Sequence, residues 1–149
     1  MNTPESNPRL DYFRSMIGHD MSQSLSPLGR WLNGILRAAD YGTLTMEYTV
    51  REEMGNAMHT LHGGTSAAIL DEIIGATVFT LGREYAYVSV NLNVDFLHSA
   101  REGEVITATA QVIRAGRTII HVEGTIRAAD GKIIAKAASN MVQSSLKLP

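Results

Sequence analysis

The alternation of apolar and polar residues predicts a series of β-strands in the second half of the chain. The strongest pattern covers residues 88–96, where every second side chain is apolar, as in a strand with one buried face. Three further apolar stretches separated by turn residues predict strands over residues 105–113, 118–126 and 133–142. Consecutive strands joined by short turns indicate a largely antiparallel sheet.

The first half of the chain mixes strand and helix patterns. Residues 31–38 and 43–50 are predicted strands, and the second has apolar side chains at every other position. Residues 63–81 are predicted to form a helix that is apolar or small almost throughout, apart from the acidic pair Asp71-Glu72. Because a helix that is apolar all round is a buried helix, the order β-β-α-β-β-β-β indicates an α+β fold with one long buried helix against a six-stranded sheet.

One domain is expected from the length of 149 residues. Residues 27–149 are assigned to this domain, and residues 1–26 to an N-terminal extension. The first ten residues are expected to be loose, and residues 11–17 to form a short helix. A single sheet around one helix leaves an edge strand unpaired, so we expect the chain to dimerise through its sheet edges.

Composition and charge exclude several classes of function. Apolar residues make up 44% of the chain and charged residues 19%, so it can bury a core. A net charge of -2 provides no basic surface, and no nucleic-acid or membrane partner is expected. The absence of cysteine excludes disulfides, cysteine nucleophiles and thiolate metal sites. Since no secretory signal or membrane-spanning stretch is recognisable, a cytoplasmic protein is expected.

The candidate chemistry lies in the first turns of the predicted helix. Gly63-Gly64 leaves backbone N–H groups uncovered at the helix N-terminus, where they can hold a phosphate, a carboxylate or a developing oxyanion. Close packing explains two glycines equally well. Asp71 is expected among apolar neighbours, where a carboxylate is costly unless it is paired or functional. For a single buried acid, a structural ion pair or a hydrogen bond to a loop amide is the simpler explanation.

Other motifs carry less information. His59 and His62 are three residues apart but have no third ligand at a telling distance, so neither a metal nor another cofactor is expected. No nucleophile elbow, dinucleotide-binding loop or P-loop occurs. Arg114–Thr118 is explained by a hairpin, although it can also place Arg117 against a phosphate. Ser89 and its polar neighbours are explained by the solvent face of a strand.

Together, these residues resemble the signature of the PaaI-type (phenylacetic acid degradation) hotdog-fold thioesterases. The resemblance covers roughly residues 27–145. It is carried by Asn56, His62-Gly63-Gly64, Asp71 and the strand Val88–Phe96. It implies the hotdog fold and a homodimer at least, with a homotetramer typical of the family.

The resemblance also implies a role for each matching residue. Asp71 is expected to be the nucleophile or the general base for water, and the Gly63 N–H to bind the thioester carbonyl. His62 is expected to shape the turn, Asn56 to contact the reacting groups, and Ser89 to help place the attacking water. The site is expected to be shared between two subunits, with Asn56 and Gly63 from one and Asp71 and Ser89 from the other.

Substrate-binding positions are less specific. Arg117 and Thr118 are expected to contact the CoA phosphates, with Arg101 a weaker candidate. Gly64 at the helix start completes the turn. The pocket walls are expected to include Met58, Leu61 and Ile74, although plain core packing explains most such residues.

The implied activity is that of an acyl-CoA thioesterase, which releases a free acid and CoA. Two alternatives stay open: a hydratase or dehydratase acting on acyl thioesters, and a non-catalytic acyl-CoA-binding module. The hydratases pair a histidine with an acid, whereas His62 before Gly-Gly resembles the thioesterase turn. The presence of Asp71 argues for chemistry rather than for binding alone.

Overall fold

A computed structural model describes residues 6–149, and the first five of the ten residues predicted to be loose lie outside this range. The described residues form three α-helices, six β-strands and a short 3-10 turn. The elements are α1 (Pro8–Ser15), α2 (Pro27–Leu32), β1 (Ile35–Asp40), β2 (Thr43–Thr49), the turn (Glu52–Met54), α3 (Gly63–Phe79), β3 (Tyr85–Phe96), β4 (Val105–Ala115), β5 (Ile119–Ala128) and β6 (Ile133–Lys147). None of the helices in residues 6–149 is long and apolar enough to cross a membrane.

The sheet has the strand order β1-β2-β4-β5-β6-β3, and every neighbouring pair is antiparallel. Helix α3 packs across one face of this sheet. The buried faces of helix and strands form one core, which includes Ile69, Leu70, Ile73, Ile106, Ile120 and Ile126. The predicted α+β arrangement of one long helix against a six-stranded antiparallel sheet is therefore confirmed.

The N-terminal helix begins earlier than the predicted 11–17 segment. Asn7 caps α1, because its side chain accepts the N–H groups of Arg9 and Leu10, and Pro8 suits the first helical position. Leu10 is completely buried. The expectation of a loose chain is therefore wrong for residues 8–10, which belong to a helix that packs against β1.

The predicted strand over residues 31–38 is wrong at its start. Ser26 accepts the Gly29 N–H and caps α2, and Pro27 occupies the first position of the helix. Asn33 has φ 50°, a left-handed conformation that ends the helix. The capping signal outweighs the apolar character of the segment, and the strand begins only at Ile35.

Helix α3 is buried on one side only. Its sheet-facing side is formed by Ser66, Ile69, Leu70, Ile73, Ile74, Thr77 and Val78. The opposite side exposes Gly64, Asp71 and Phe79 to solvent. The prediction of a helix buried all round is therefore wrong for the single chain.

A β-bulge interrupts the predicted alternation along β3. Ser89 pairs with Met141 and Asn91 with Asn140, so Val90 between them has no partner. Because directly opposed residues share a face of the sheet, Ser89 lies on the helix side with the buried Met141. Asn91 lies on the outer face, so the prediction of a common polar face for Ser89 and Asn91 is wrong.

The two edges of the sheet differ. The start of the outer edge of β1 is covered by residues 18–20, since Gly18 N–H donates to Leu36 O, Leu36 N–H donates to His19 O, and Asp20 forms a bridge to Ile35. No segment within residues 6–149 pairs with the outer edge of β3. The sheet therefore presents one long open edge.

Candidate active site

His62 caps the N-terminus of α3. Its Nδ1 accepts the Gly64 N–H at 2.9 Å, and its carbonyl oxygen accepts the Ser66 N–H at 3.0 Å. The Gly63 N–H meets no acceptor among residues 6–149. The Gly64 N–H is thus satisfied, whereas the Gly63 N–H is free to bind a ligand. Both lie at the N-terminus of α3, where the helix dipole favours negative charge.

Asn56 organises the loop that leads into α3. Its Oδ1 accepts the N–H groups of Met58 at 2.9 Å and Thr60 at 3.2 Å, and its Nδ2 donates to Thr60 Oγ1 at 2.9 Å. The end of the loop is tied down by two further bonds, from Leu61 N–H to Ala100 O and from His62 N–H to Met54 O. The side chain of Asn56 therefore fixes the path of the chain towards Gly63.

An open cleft of about 420 Å³ lies beside the free Gly63 N–H. Four of the predicted site residues line it, namely Asn56, Met58, Leu61 and Gly63. Met58 is exposed at its rim, whereas Leu61 is nearly buried at its wall. The structure therefore brings together the residues that are close in sequence before the helix.

The cleft is also lined by Phe96, Leu97 and His98, which the sequence patterns did not indicate as site residues. The ring of Phe96 lies against Gly63, and a Cβ added to Gly63 would be 3.3 Å from its Cε1. A residue larger than glycine would have to displace this ring. The alternation along β3 marked Phe96 only as part of an apolar face, and its position against the helix start follows from the sheet order.

Asp71 and Ser89 lie apart from the cleft. Asp71 is eight residues beyond Gly63, or about 12 Å along the helix axis. It is exposed and takes part in none of the ion pairs within residues 6–149, so the expectation of a poorly solvated Asp71 is wrong for the single chain. Ser89 is exposed on the open edge strand, with its Oγ 3.5 Å from Ser139 Oγ.

The neighbouring acid Glu72 has different surroundings. A Cβ added to Gly29 in α2 would lie 2.6 Å from Glu72 Oε1, so this carboxylate packs against α2. Burial, and secondly the charge of Glu72, raise the pKa of the Tyr48 phenol above its ordinary value of 10.0. The structure therefore separates the acidic pair: Glu72 faces the interior and Asp71 faces solvent.

The predicted phosphate contacts lie in the turn between β4 and β5. The Arg117 carbonyl accepts the Tyr87 hydroxyl at 2.6 Å, and the Thr118 carbonyl accepts the Gln143 N–H at 3.0 Å. Arg83 donates to the Gly116 carbonyl at 3.1 Å. These backbone bonds hold the turn, while the side chains of Arg117 and Thr118 are exposed.

Two further predicted binding residues have contrasting positions. Ile74 is completely buried in the core, where Gly124 of β5 lets α3 approach the sheet closely. Arg101 is exposed and forms a bridge with Thr60 in the loop beside the cleft.

Comparisons with known proteins agree with this architecture. Residues 58–135 match the thioesterase superfamily. Human acyl-coenzyme A thioesterase 13 is 35% identical over 102 residues, which cover 68% of this chain and 73% of the human protein.

Solved structures show the same fold. The E. coli PaaI protein from the phenylacetic acid degradation operon superposes with a TM-score of 0.81 at 19% identity, covering 95% of this chain and 97% of PaaI. Mouse thioesterase superfamily member 2 gives a TM-score of 0.79 at 25% identity, covering 93% and 99%. The hotdog fold expected from the resemblance is therefore confirmed.

Proposed function

Because the chain belongs to the thioesterase superfamily, we propose that it hydrolyses acyl-CoA thioesters to a free acid and CoA. The observation that carries this proposal is the free Gly63 N–H beside an open cleft. Hydrolysis of a thioester develops negative charge on the carbonyl oxygen, and one preorganised donor aimed at that oxygen contributes about 10²–10³ in rate. The name of the human relative, an acyl-coenzyme A thioesterase, supports the choice of substrate class.

Asp71 enables the attack in this proposal, either as the nucleophile itself or as the general base that activates water. Water is a poor nucleophile at neutral pH, so the reaction needs one of these two routes. Ser89 helps to place the water, Asn56 contacts the reacting groups, and His62 keeps the turn in shape through its bond to the Gly64 N–H.

The distance along α3 favours a site built from two chains. In the bound thioester, the carbonyl carbon lies about 1.2 Å from the oxygen that accepts the Gly63 N–H. Asp71 of the same chain is about 12 Å further along the helix axis, too far to attack that carbon. The Asp71 that acts as nucleophile or general base therefore comes from a second subunit, together with its Ser89.

The open edge of β3 provides the surface for this second subunit. Pairing of two β3 strands about a two-fold axis joins the sheets and satisfies the unpaired backbone groups of both edges. The exposed side of α3, including Asp71, then faces the partner. The homodimer is the minimal active unit in this proposal, and a homotetramer is its expected assembly.

Arg117 and Thr118 are proposed to contact the CoA phosphates. Tyr87, Gln143 and Arg83 donate hydrogen bonds to backbone carbonyls of the turn and hold it in place. Less conformational freedom of the turn is therefore lost when a ligand binds. An exposed guanidinium can bind phosphate in a bidentate manner.

The proposal is tested with a panel of acyl-CoA substrates, with released thiol measured by DTNB. Asp71→Asn is expected to abolish turnover while CoA binding, measured by calorimetry, is retained. Glu72→Gln changes the adjacent acid and serves as the matched control, which is expected to keep turnover.

Three results would contradict the proposal. Near-wild-type hydrolysis by Asp71→Ala would refute the assignment of the site. Hydration of a crotonyl-CoA substrate without thiol release would identify a hydratase. Tight acyl-CoA binding by the wild type with no product at all would identify a binding module.

A further inference from the structure

A buried serine interrupts the apolar inner face of β6. Ser139 is completely buried on the helix side of the sheet, between Ala137 and Met141 on the same face. Burial of a hydroxyl is costly unless the group forms hydrogen bonds. The partners of Ser139 should therefore explain why a serine stands at this position.

Both partners of Ser139 belong to the bulged part of β3. Its Oγ donates to the Asn91 carbonyl at 2.9 Å and lies 3.5 Å from Ser89 Oγ. A hydroxyl carries one hydrogen and two lone pairs. Since the shorter bond takes the hydrogen of Ser139, its oxygen faces Ser89 with a lone pair and can accept the Ser89 O–H.

The bulge itself decides which face of the sheet carries Ser89. The side-chain period of a strand is two, so if Val90 paired regularly with Met141, Ser89 would lie opposite Val142 on the outer face. The bond from Ser139 to the Asn91 carbonyl ties the strand down directly after Val90. The Ser139 hydroxyl thus anchors the bulge through Asn91 and also contacts Ser89, whose side chain the bulge places on the helix side.

We propose that Ser139 is a positioning residue for Ser89. It anchors the bulge through the Asn91 carbonyl at 2.9 Å and contacts the Ser89 hydroxyl at 3.5 Å, so that Ser89 stays on the helix side of the sheet, where it can hydrogen-bond the attacking water. This inference rests on the proposed thioesterase function. Ser139 touches neither the substrate nor the water and acts only through Ser89.

The test compares kcat and KM of Ser139→Ala, Ser89→Ala and the double variant. Ser139→Ala is expected to lower kcat about fivefold with KM unchanged, which corresponds to about 1 kcal/mol, the net value of one hydrogen bond. In the Ser89→Ala background the same change is expected to have no further effect on kcat, because Ser139 acts on the reaction only through Ser89.

Ser144→Ala is the matched control. Ser144 also lies in β6 and donates to a carbonyl of β3, that of Ala86, at 2.7 Å. If the loss of a bond between β6 and β3 were enough to lower kcat, both Ser139→Ala and Ser144→Ala would therefore have a lower kcat. Ser144→Ala is expected to lower the melting temperature without lowering kcat.

The outcomes separate the inference from the proposed function. Multiplicative losses in the double variant, or an equal loss of kcat in Ser144→Ala, would overturn the role of Ser139. A wild-type protein that releases no thiol would overturn the thioesterase function itself, before any variant is compared. If Ser139→Ala does not fold, Ser139→Cys fills the same space with a weaker hydrogen-bonding group. A kcat equal to that of the wild type in Ser139→Cys would then refute the proposal.

Discussion

Two inactive variants are expected to restore activity when they are combined in one dimer. Asn56→Ala damages the half-site at the start of α3, and Asp71→Ala removes the nucleophile or general base of the other half-site. A mixed dimer then contains one site with both changes and one site with neither. Random pairing makes half of the dimers mixed, so the mixture recovers about a quarter of the wild-type activity.

The assay uses co-expression of the two variants with different affinity tags and measures thiol release. Mixed dimers purified through both tags are expected to have about half of the wild-type kcat per dimer, since one of two equivalent sites is intact. Each variant alone gives the background rate.

A pairing of Asn56→Ala with Gly63→Ala is the matched control. Both changes lie on the same half-site, so every site of a mixed dimer keeps one defect and no activity returns. Absence of recovery in the Asn56→Ala and Asp71→Ala mixture would refute the shared site, because a site within one chain cannot be repaired by a partner. Equal recovery in the control would also contradict it.

Gly63→Ala is expected to lower kcat at least tenfold. The new Cβ would lie 3.3 Å from Cε1 of Phe96, and this close contact moves the residue 63 N–H away from the carbonyl oxygen that it binds. Phe96→Leu in the same chain should relieve the contact and restore part of the lost kcat. Ile74→Val is expected to lower the free energy of unfolding in urea by about 1 kcal/mol without changing kcat/KM, since Ile74 lies in the core. The raised pKa of Tyr48 contributes stability that is complete below its ordinary value of 10.0 and is lost as the pH rises above it. Tyr48→Phe should therefore weaken the fall of the urea midpoint in alkaline solution.

The alternation of apolar residues predicted the succession of strands along the chain because strands such as β2 and β5 bury every second side chain. The prediction was wrong where a local hydrogen bond outweighed the pattern. Ser26 and Pro27 start a helix within a segment whose apolar residues also suit a strand. The bulge at Val90 left no trace in the sequence, since the alternation continues through it without a glycine or proline.

The candidate site was predictable only in part, for a related reason. Asn56 and Gly63 meet because they flank one short loop, which the sequence places directly before the helix. Asp71 and Ser89 lie on surfaces that are open in the single chain, and periodicity cannot specify what covers them. The apolar helix that predicted complete burial is explained if its exposed side faces a second subunit.

The pairing of residues 18–20 with the start of β1 affects how many chains can join through their sheet edges. A sheet with two open edges is a template to which chains add without limit. Residues 18–20 pair with Ile35 and Leu36 at the start of β1, whereas no segment within residues 6–149 pairs with the outer edge of β3. When two β3 strands pair, the joined sheet ends on a partly covered β1 strand at both sides. In the proposed dimer, this N-terminal segment would therefore hinder the addition of further chains at the start of each outer strand.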